Sequence, residues 1–434
     1  MKFRLAPVIY ETEIEKGIRG IYNYIGGHNF AFVQENLFEK LKKEKEIKKS
    51  SKLEELIKKN FLVPLNYSND LYLDSFKQQQ KVDIHLMYLL LSQSCNLKCK
   101  YCFENLNNTE KKLMSWEVAD RAIDYFFEIS KENRKIIFYG GEPLLNFMVF
   151  KKSVEKIRKK DKKTKSYSEI EIVTNGTLIN REIALFCKKF NVKVAVSIDG
   201  PKDIHDSMRI YKNSKNSSFD AAIKGYQNLK EINAEPAISC TIGKHNVKIL
   251  PEIAKFFVNE LKPKSVGFNL IIGENEKPDV EEATNSLLEA YEILKSNNIY
   301  EDRIMRRLEP IAKNKFYLKE CAAYGNQIVV RYDGKVGPCH AFCTTNQYFE
   351  DDLFNENFDV FSSRIFQEWA YRSPLNNEKC RKCPFILLCG GGCAFNAKLK
   401  KGDIHEIDEN ICLHTKTILN WIFKKIWEKK KSRF

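Results

Sequence analysis

Residues Ser94–Glu104 read SCNLKCKYCFE and place Cys95, Cys99 and Cys102 within eight residues. The loop follows an apolar, strand-like run, IHLMYLLLS, that begins at Ile84. A structural zinc site normally takes four ligands, and a 4Fe–4S cluster has four irons to ligate. Three thiolates at these spacings let one loop wrap three corners of a cube and leave one iron open to a non-protein ligand. From the loop alone, part of a zinc site is the competing reading. Position separates the two, because in parallel βα architectures chemistry sits where strands end at their carboxyl edge. This loop stands at such an edge.

Working outward, the same rhythm repeats. Strand-like runs KIIFYG, EIEIVT, VKVAVSI, PAISCTI and SVGFNLII follow the first one, separated by amphipathic helical stretches. One helix is predicted over Trp116–Ile129 with Ser115 as N-cap, and another over Arg181–Phe190. Six alternations predict an α/β fold in which a parallel sheet carries crossover helices, as an open doubly wound sheet or a partial barrel. Further polar motifs close successive strands: YGGEP at Tyr139–Pro143, TNGT at Thr174–Thr177 and SIDG at Ser197–Gly200. One strand-end motif is weak evidence, whereas four consecutive ones headed by CxxxCxxC form a strong constellation.

The chain is 434 residues long, too many for one compact core, and divides in three on sequence grounds: 1–80, 81–300 and 301–434. Acidic and polar residues precede any long apolar run at the start, and no apolar segment reaches bilayer length, so the expectation is a cytoplasmic protein without a membrane span. Cytosolic thiols stay reduced, so 13 cysteines point to metal before disulfides. Lys and Arg total 72 against 57 acids. The excess sits in lysine runs from Lys40, from Lys151 and in the tail. The middle run is mixed with acids in a helical pattern and reads as a solvated face. Arginine and aromatic residues are not interleaved as on a nucleic-acid surface, which makes that partner class the poorer fit.

Residues 1 to about 80 read as a small module. IRGIYNYIG and NFAFVQ are strand-like around a turn at Gly26 and Gly27, two helical patterns follow at Glu35–Lys43 and Ser51–Lys59, and FLVPLN returns as a strand. This order predicts a winged-helix-like unit. Beyond about Asp302 the alternation is lost and eight cysteines take over: Cys321, Cys339, Cys343, Cys380, Cys383, Cys389, Cys393 and Cys412. The last helical pattern, TKTILNWIFKKIWEKKK, predicts an apolar face of Ile418, Trp421, Ile422 and Ile426. Cys187 on a helix and Cys240 in a strand read as core cysteines.

With these motifs in view, residues Ile84 to Ile299 resemble the radical S-adenosylmethionine (SAM) superfamily. The resemblance implies a partial (β/α)6 barrel whose Cys95, Cys99 and Cys102 bind a 4Fe–4S cluster. It implies that SAM fills the open iron and is cleaved to a 5′-deoxyadenosyl radical that abstracts hydrogen from the substrate. Gly140 and Gly141 give backbone access to the SAM amino group, Glu142, followed by Pro143, adds a carboxylate, and Asn175 lies in the TNGT loop. Tyr101 resembles the aromatic that lies near adenine, Ser197 and Asp199 fit the ribose hydroxyls, and Arg209 the methionyl carboxylate. A turn-forming or capping role is the plainer reading for these last four. An external one-electron donor such as flavodoxin or ferredoxin is implied as well.

The C-terminal spacing, with CRKCPFILLCGGGC at its centre and Gly334 four residues before Cys339, resembles the SPASM extension of peptide-modifying radical SAM enzymes. That pattern implies two auxiliary 4Fe–4S clusters. Cys380, Cys383, Cys389 and Cys412 would bind the outer one; Cys321, Cys339 and Cys393 would bind the inner one, with Cys343 as the local candidate for a fourth ligand. Two zinc-ribbon sites are the alternative for these cysteines. Sulfatase-maturing members carry an aspartate just after the second auxiliary cysteine; here that position is His340, a departure that counts against formylglycine formation and offers either a base or a cluster-shielding ring. The N-terminal module resembles the leader-recognition element of ribosomal peptide maturases, which adds the leader as a strand. The expected activity is thioether cross-linking in a ribosomally made precursor peptide. Carbon–carbon or carbon–oxygen cross-linking comes second, and sulfatase maturation or RNA modification follows.

Overall fold

A computed structural model describes residues 2–104 and 112–431; the last three residues of the basic tail, 432–434, lie outside the described residues. The chain forms two compact units, one of residues 81–305 and 322–371, the other of residues 1–80, 306–321 and 372–434. The cysteine-rich segment therefore contributes to both.

The larger unit is built on a ten-stranded sheet. Six core strands lie side by side in chain order and are all parallel: Leu86–Ser92, Lys135–Gly140, Glu169–Thr174, Val192–Ser197, Ala237–Ile242 and Ser265–Leu270. The result is an α/β fold with a parallel core, its sheet opened rather than closed. One edge is extended by Tyr300–Glu301. The other is extended by Gln327–Val330, parallel to the first core strand, and then by antiparallel Lys335–Gly337 and Asp351–Asp352. Alternate strand residues such as Met87, Leu89, Ile136, Phe138, Ile170, Ile172, Val194, Val196, Val266 and Phe268 are buried. Burying a Phe side chain contributes about 1.5–3 kcal/mol. Cys187 and Cys240 are core residues, both buried.

The predicted cap at Ser115 is present, and Asn180 adds one that was not predicted. Ser115 Oγ accepts from the Val118 N–H at 3.2 Å ahead of Trp116–Ile129, and Asn180 Oδ1 accepts from the Ile183 N–H at 2.9 Å ahead of Arg181–Lys189. Each satisfies an amide that the first helical turn leaves unpaired.

In the smaller unit, Tyr10–Glu15, Ile18–Asn23 and Asn29–Gln34 form an antiparallel sheet. A second sheet sets Lys2–Leu5 between Ile47–Lys48 and Leu62–Pro64. Helix Glu35–Lys43 lies where its pattern predicts, whereas Ser51–Lys59 resolves into a 3₁₀ turn, Ser51–Leu53, and a short helix, Glu54–Lys58. The last helix, Glu409–Lys431, buries Ile418, Leu419, Ile422, Phe423 and Trp427. Trp421 and Ile426, expected on that face, are only half-buried on its flanks. The stripe is turned because Phe423 and Trp427 are drawn to the rings of the N-terminal sheet. Phe423 packs on Tyr22 at 4.5 Å and Phe30 at 4.9 Å between centroids, and the Trp427 indole fills the space above Gly20, where a Cβ would come within 2.6 Å of it.

Candidate active site

The first cysteine loop is held at the carboxyl edge of the six core strands by its neighbours' motifs. Leu97–Cys99 pairs antiparallel with Arg209–Tyr211, so the segment bearing Arg209 is registered directly on the loop. Asn175 Nδ2, from the end of the third strand, donates to Asn96 Oδ1 at 2.9 Å and lies 3.9 Å from Cys95 Sγ. Asn96 Nδ2 in turn donates to Thr177 Oγ1 at 2.8 Å. Burial pushes the Cys95 thiol up to about 12, with the Glu142 carboxylate and the thiols of Cys99 and Cys102 raising it further.

Glu142 is fully buried. Its carboxylate accepts from the Asn175 N–H at 2.8 Å, Thr174 Oγ1 at 2.7 Å and the Leu144 N–H at 3.0 Å. Burial raises its pKa to about 7 against the pull of those donors. Pro143 opens the short 3₁₀ turn Pro143–Asn146 that follows. Gly140 has φ +120°, and a Cβ there would collide with the Ser92 carbonyl oxygen. That oxygen accepts from the Gly141 N–H at 2.7 Å. The backbone thus turns tightly under the cysteine loop in a conformation reserved for glycine.

Asp199 is the hub of the opposite wall. Its carboxylate accepts from Tyr101 Oη at 2.5 Å, from Arg209 Nε at 2.9 Å and Nη2 at 3.1 Å, and from the Thr241 N–H at 3.0 Å. Burial works to raise its pKa, but Arg209 overrides it and holds the carboxyl below the usual range. The guanidinium lies 5.5 Å from the Tyr101 ring centre. Ser197 ends its strand and is buried. Tyr101, Asp199 and Arg209 therefore act as one locked group, with much of their hydrogen-bonding capacity already used on one another.

His340 is enclosed by rings: stacked on Tyr88 at 5.0 Å, edge-on to Tyr139 at 5.1 Å and near Phe103 at 6.1 Å. Burial lowers its pKa to about 4, so the imidazole is neutral. Cys339 and Cys343 bracket the 3₁₀ turn His340–Phe342 in the same unit. The Cys343 carbonyl is pinned by Gln93 Nε2 at 2.9 Å and Arg331 Nη1 at 3.0 Å.

The remaining cysteines lie in the smaller unit. The thiol of Cys380 is pushed up to about 12, first by burial and then by Cys389, Cys383 and Cys412. Cys393 lies within electrostatic reach of Cys321. Between Cys389 and Cys393 the three glycines have φ of +73°, +94° and +70°, and this left-handed run folds the two cysteines back towards one loop. Arg307 Nη1 donates to the Cys389 carbonyl at 2.9 Å and Arg372 Nη2 to the Gly391 carbonyl at 2.8 Å.

Two residues escaped the sequence reading. His245, in the turn after the fifth strand, stacks on Tyr101 at 5.8 Å, and neither ring nitrogen has a hydrogen-bond partner among the described residues. Glu104 is buried, and burial raises its pKa to about 8. The signal for His245 was present, since GKHN ends a core strand just as the other motifs do.

The donor chemistry fits an iron–sulfur group: three thiols on one loop, none of them in a disulfide, beside a glycine turn that packs closely on the Ser92 carbonyl. Fold and site together define a radical SAM enzyme. The model of the Radical SAM superfamily matches residues 89–257, and the chain belongs to that superfamily. It is 26% identical over 415 residues, 88% of this chain and 83% of the relative, to the radical SAM cyclopropyl synthase TigE of Paramaledivibacter caminithermalis. It is 36% identical over 203 residues to the uncharacterized protein MJ0907 of Methanocaldococcus jannaschii, covering 46% of this chain and 68% of that one. Among solved structures, native anSMEcpe with bound AdoMet and Cp18Cys peptide superposes with a TM-score of 0.68 at 22% identity, covering 80% of this chain and 99% of that one. Superfamily membership implies SAM and a 4Fe–4S cluster as cofactors. No helix among the described residues is long and apolar enough to cross a membrane.

Gly140→Ala tests the turn beneath the cysteine loop. Forcing an L-residue into this backbone costs about 1–3 kcal/mol. SAM affinity, read by equilibrium dialysis, is expected to weaken by about tenfold to a hundredfold, with the iron content of the first loop retained.

Proposed function

We propose that the protein is a peptide maturase that installs a thioether cross-link in a ribosomally made precursor. The observation that carries the enzymatic part is the convergence of three strand-end motifs on the cysteine loop: Asn175 on Asn96, the Glu142 N–H on the Ser94 carbonyl, and Asp199 on Tyr101. Support for a peptide substrate comes from relatives named as maturases and from the peptide bound in anSMEcpe.

In this reading Cys95, Cys99 and Cys102 hold the reducible cluster, and SAM, when bound beside it, supplies a hydrogen-abstracting radical after one-electron reduction by an external donor. The Gly140–Gly141 turn receives the amino acid end of SAM. Glu142 faces that end, and Asn175 braces the loop. Tyr101 and Asp199, with Ser197, would frame the nucleoside end, and Arg209, paired with Asp199, would answer the methionyl carboxylate. Cys380, Cys383, Cys389 and Cys412 hold an outer auxiliary cluster, and Cys321, Cys339 and Cys393 an inner one. His340, neutral among its aromatic neighbours, walls the substrate side. Residues 1–80 receive the leader. The setting is the cytoplasm.

Forming a C–S bond removes one hydrogen from carbon and one from sulfur. Co-expression with a small cysteine-containing peptide encoded nearby is therefore expected to yield a product lighter by two hydrogens per cross-link, located by tandem mass spectrometry. An unmodified peptide, or a mass change that persists after the cysteine is replaced, overturns the thioether assignment.

One observation favours the second reading, a carbon–carbon or carbon–oxygen link. Cys343 lies one 3₁₀ turn beyond Cys339 and is buried beside it, available as a fourth ligand of the inner cluster. With an open site, Cys343→Ala leaves the cluster's spectrum unchanged and added precursor thiol shifts it. A spectrum that shifts on Cys343→Ala and ignores the precursor moves the assignment to the second reading.

A further inference from the structure

The outer cysteine hairpin is held by the first eighty residues of the chain. Arg381 stands between Cys380 and Cys383, and its side chain is only 17% exposed. Its Nε and Nη2 donate to Asp70 Oδ1 at 2.9 and 2.7 Å, and its Nη1 donates to Asp74 Oδ1 at 2.9 Å and to the Leu375 carbonyl at 3.0 Å. Asp70 and Asp74 stand four residues apart on the short helix Asn69–Asp74, so one planar guanidinium spans both carboxylates.

Two further contacts join the same segments. Asn376 Nδ2 donates to Gln80 Oε1 at 3.0 Å, and the adjacent Asn377 caps the turn Glu378–Arg381, accepting from the Lys379 and Cys380 N–H groups at 3.1 and 3.3 Å. Phe385, two residues past Cys383, packs on Tyr10 at 5.0 Å. The side chains of Arg381 and Phe385 in CRKCPF thus both reach the N-terminal module.

We propose that residues 1–80 form the outer shell of the outer auxiliary cluster, with the Arg381 fork to Asp70 and Asp74 fixing the turn that carries Cys380 and Cys383. Arg381, Asp70 and Asp74 are positioning residues. The inference rests on the reading that Cys380, Cys383, Cys389 and Cys412 ligate a cluster. Groups that orient metal ligands from the second layer change metal affinity by about 10–100-fold when removed.

The test uses full-length, anaerobically reconstituted enzyme and follows iron loss to a chelator together with the electron paramagnetic resonance of the reduced clusters. Wild type is expected to hold about twelve irons, four per cluster. In Arg381→Gln and in Asp70→Asn/Asp74→Asn, about a third of the iron is expected to leave about tenfold or more faster, with one auxiliary signal altered and the signal of the Cys95 loop unchanged. Arg381→Lys keeps the charge without the fork and is expected to fall between. The triple variant is expected to match Arg381→Gln alone, because the three groups act as one unit. Iron loss at the wild-type rate in both Arg381→Gln and Arg381→Lys overturns the proposal, as does an additive triple variant. Wild-type enzyme that holds only about four irons overturns the ligand assignment itself, a failure distinct from that of the shell. Should Arg381→Gln fail to fold by circular dichroism, Arg381→Lys decides.

Discussion

Alanine at Cys95, Cys99 and Cys102 together is expected to remove about four of the roughly twelve bound irons and to abolish reductive cleavage of SAM. The loop is otherwise secured without metal. Leu97–Cys99 keeps its pairing with Arg209–Tyr211, and Asn96 keeps its bonds to Asn175 and Thr177. The variant should therefore fold, and the loss reports on the cluster rather than on the barrel. Iron analysis and chromatographic assay of 5′-deoxyadenosine after reduction check it. SAM cleavage at the wild-type rate in this variant would sink the assignment of the site.

Trp427→Ala is the second large effect. The indole is fully buried and sits over Gly20 among Tyr10, Phe30 and Phe423. Emptying a core site of this size costs about 3–5 kcal/mol, a large share of the stability of an ordinary domain. The expected result is an early melting step confined to the smaller unit, with iron lost from the outer cysteines at the same temperature. Trp427→Phe, which refills part of the cavity, is expected to restore much of both. Calorimetry with parallel visible absorbance separates the steps, and a single unchanged melting transition in Trp427→Ala contradicts the packing argument.

The barrel was legible because its signals are local and repeated. Each core strand is a short apolar run, and the helix Trp116–Ile129 carries its own cap in Ser115, so both could be read directly. The strand-end motifs were legible for the same reason. Partnerships made across the chain were hidden. Nothing in SIDG tells that Asp199 is occupied by both Tyr101 and Arg209, since those residues are 98 and 10 positions away in sequence. The strands Lys2–Leu5 and Tyr10–Glu15 were missed because KFRL is very short and YETEIE is half acidic, so neither shows a clear apolar face. The face of the last helix was turned for a related reason: several apolar residues compete along that segment, and the rings of a distant sheet decide which are buried.

That distant packing has a consequence for the order of synthesis. Residues 1–80 leave the ribosome well before Phe423 and Trp427 do, so the first-made sheet waits, its aromatic face uncovered, through more than three hundred residues of translation. The barrel, mostly continuous in sequence from Lys81, can close while that wait continues. Completion of the smaller unit is then a late, long-range event, slowed by the closure of a very large loop. Until Phe423 and Trp427 arrive, a nascent chain presents a naked apolar sheet to chaperones and proteases.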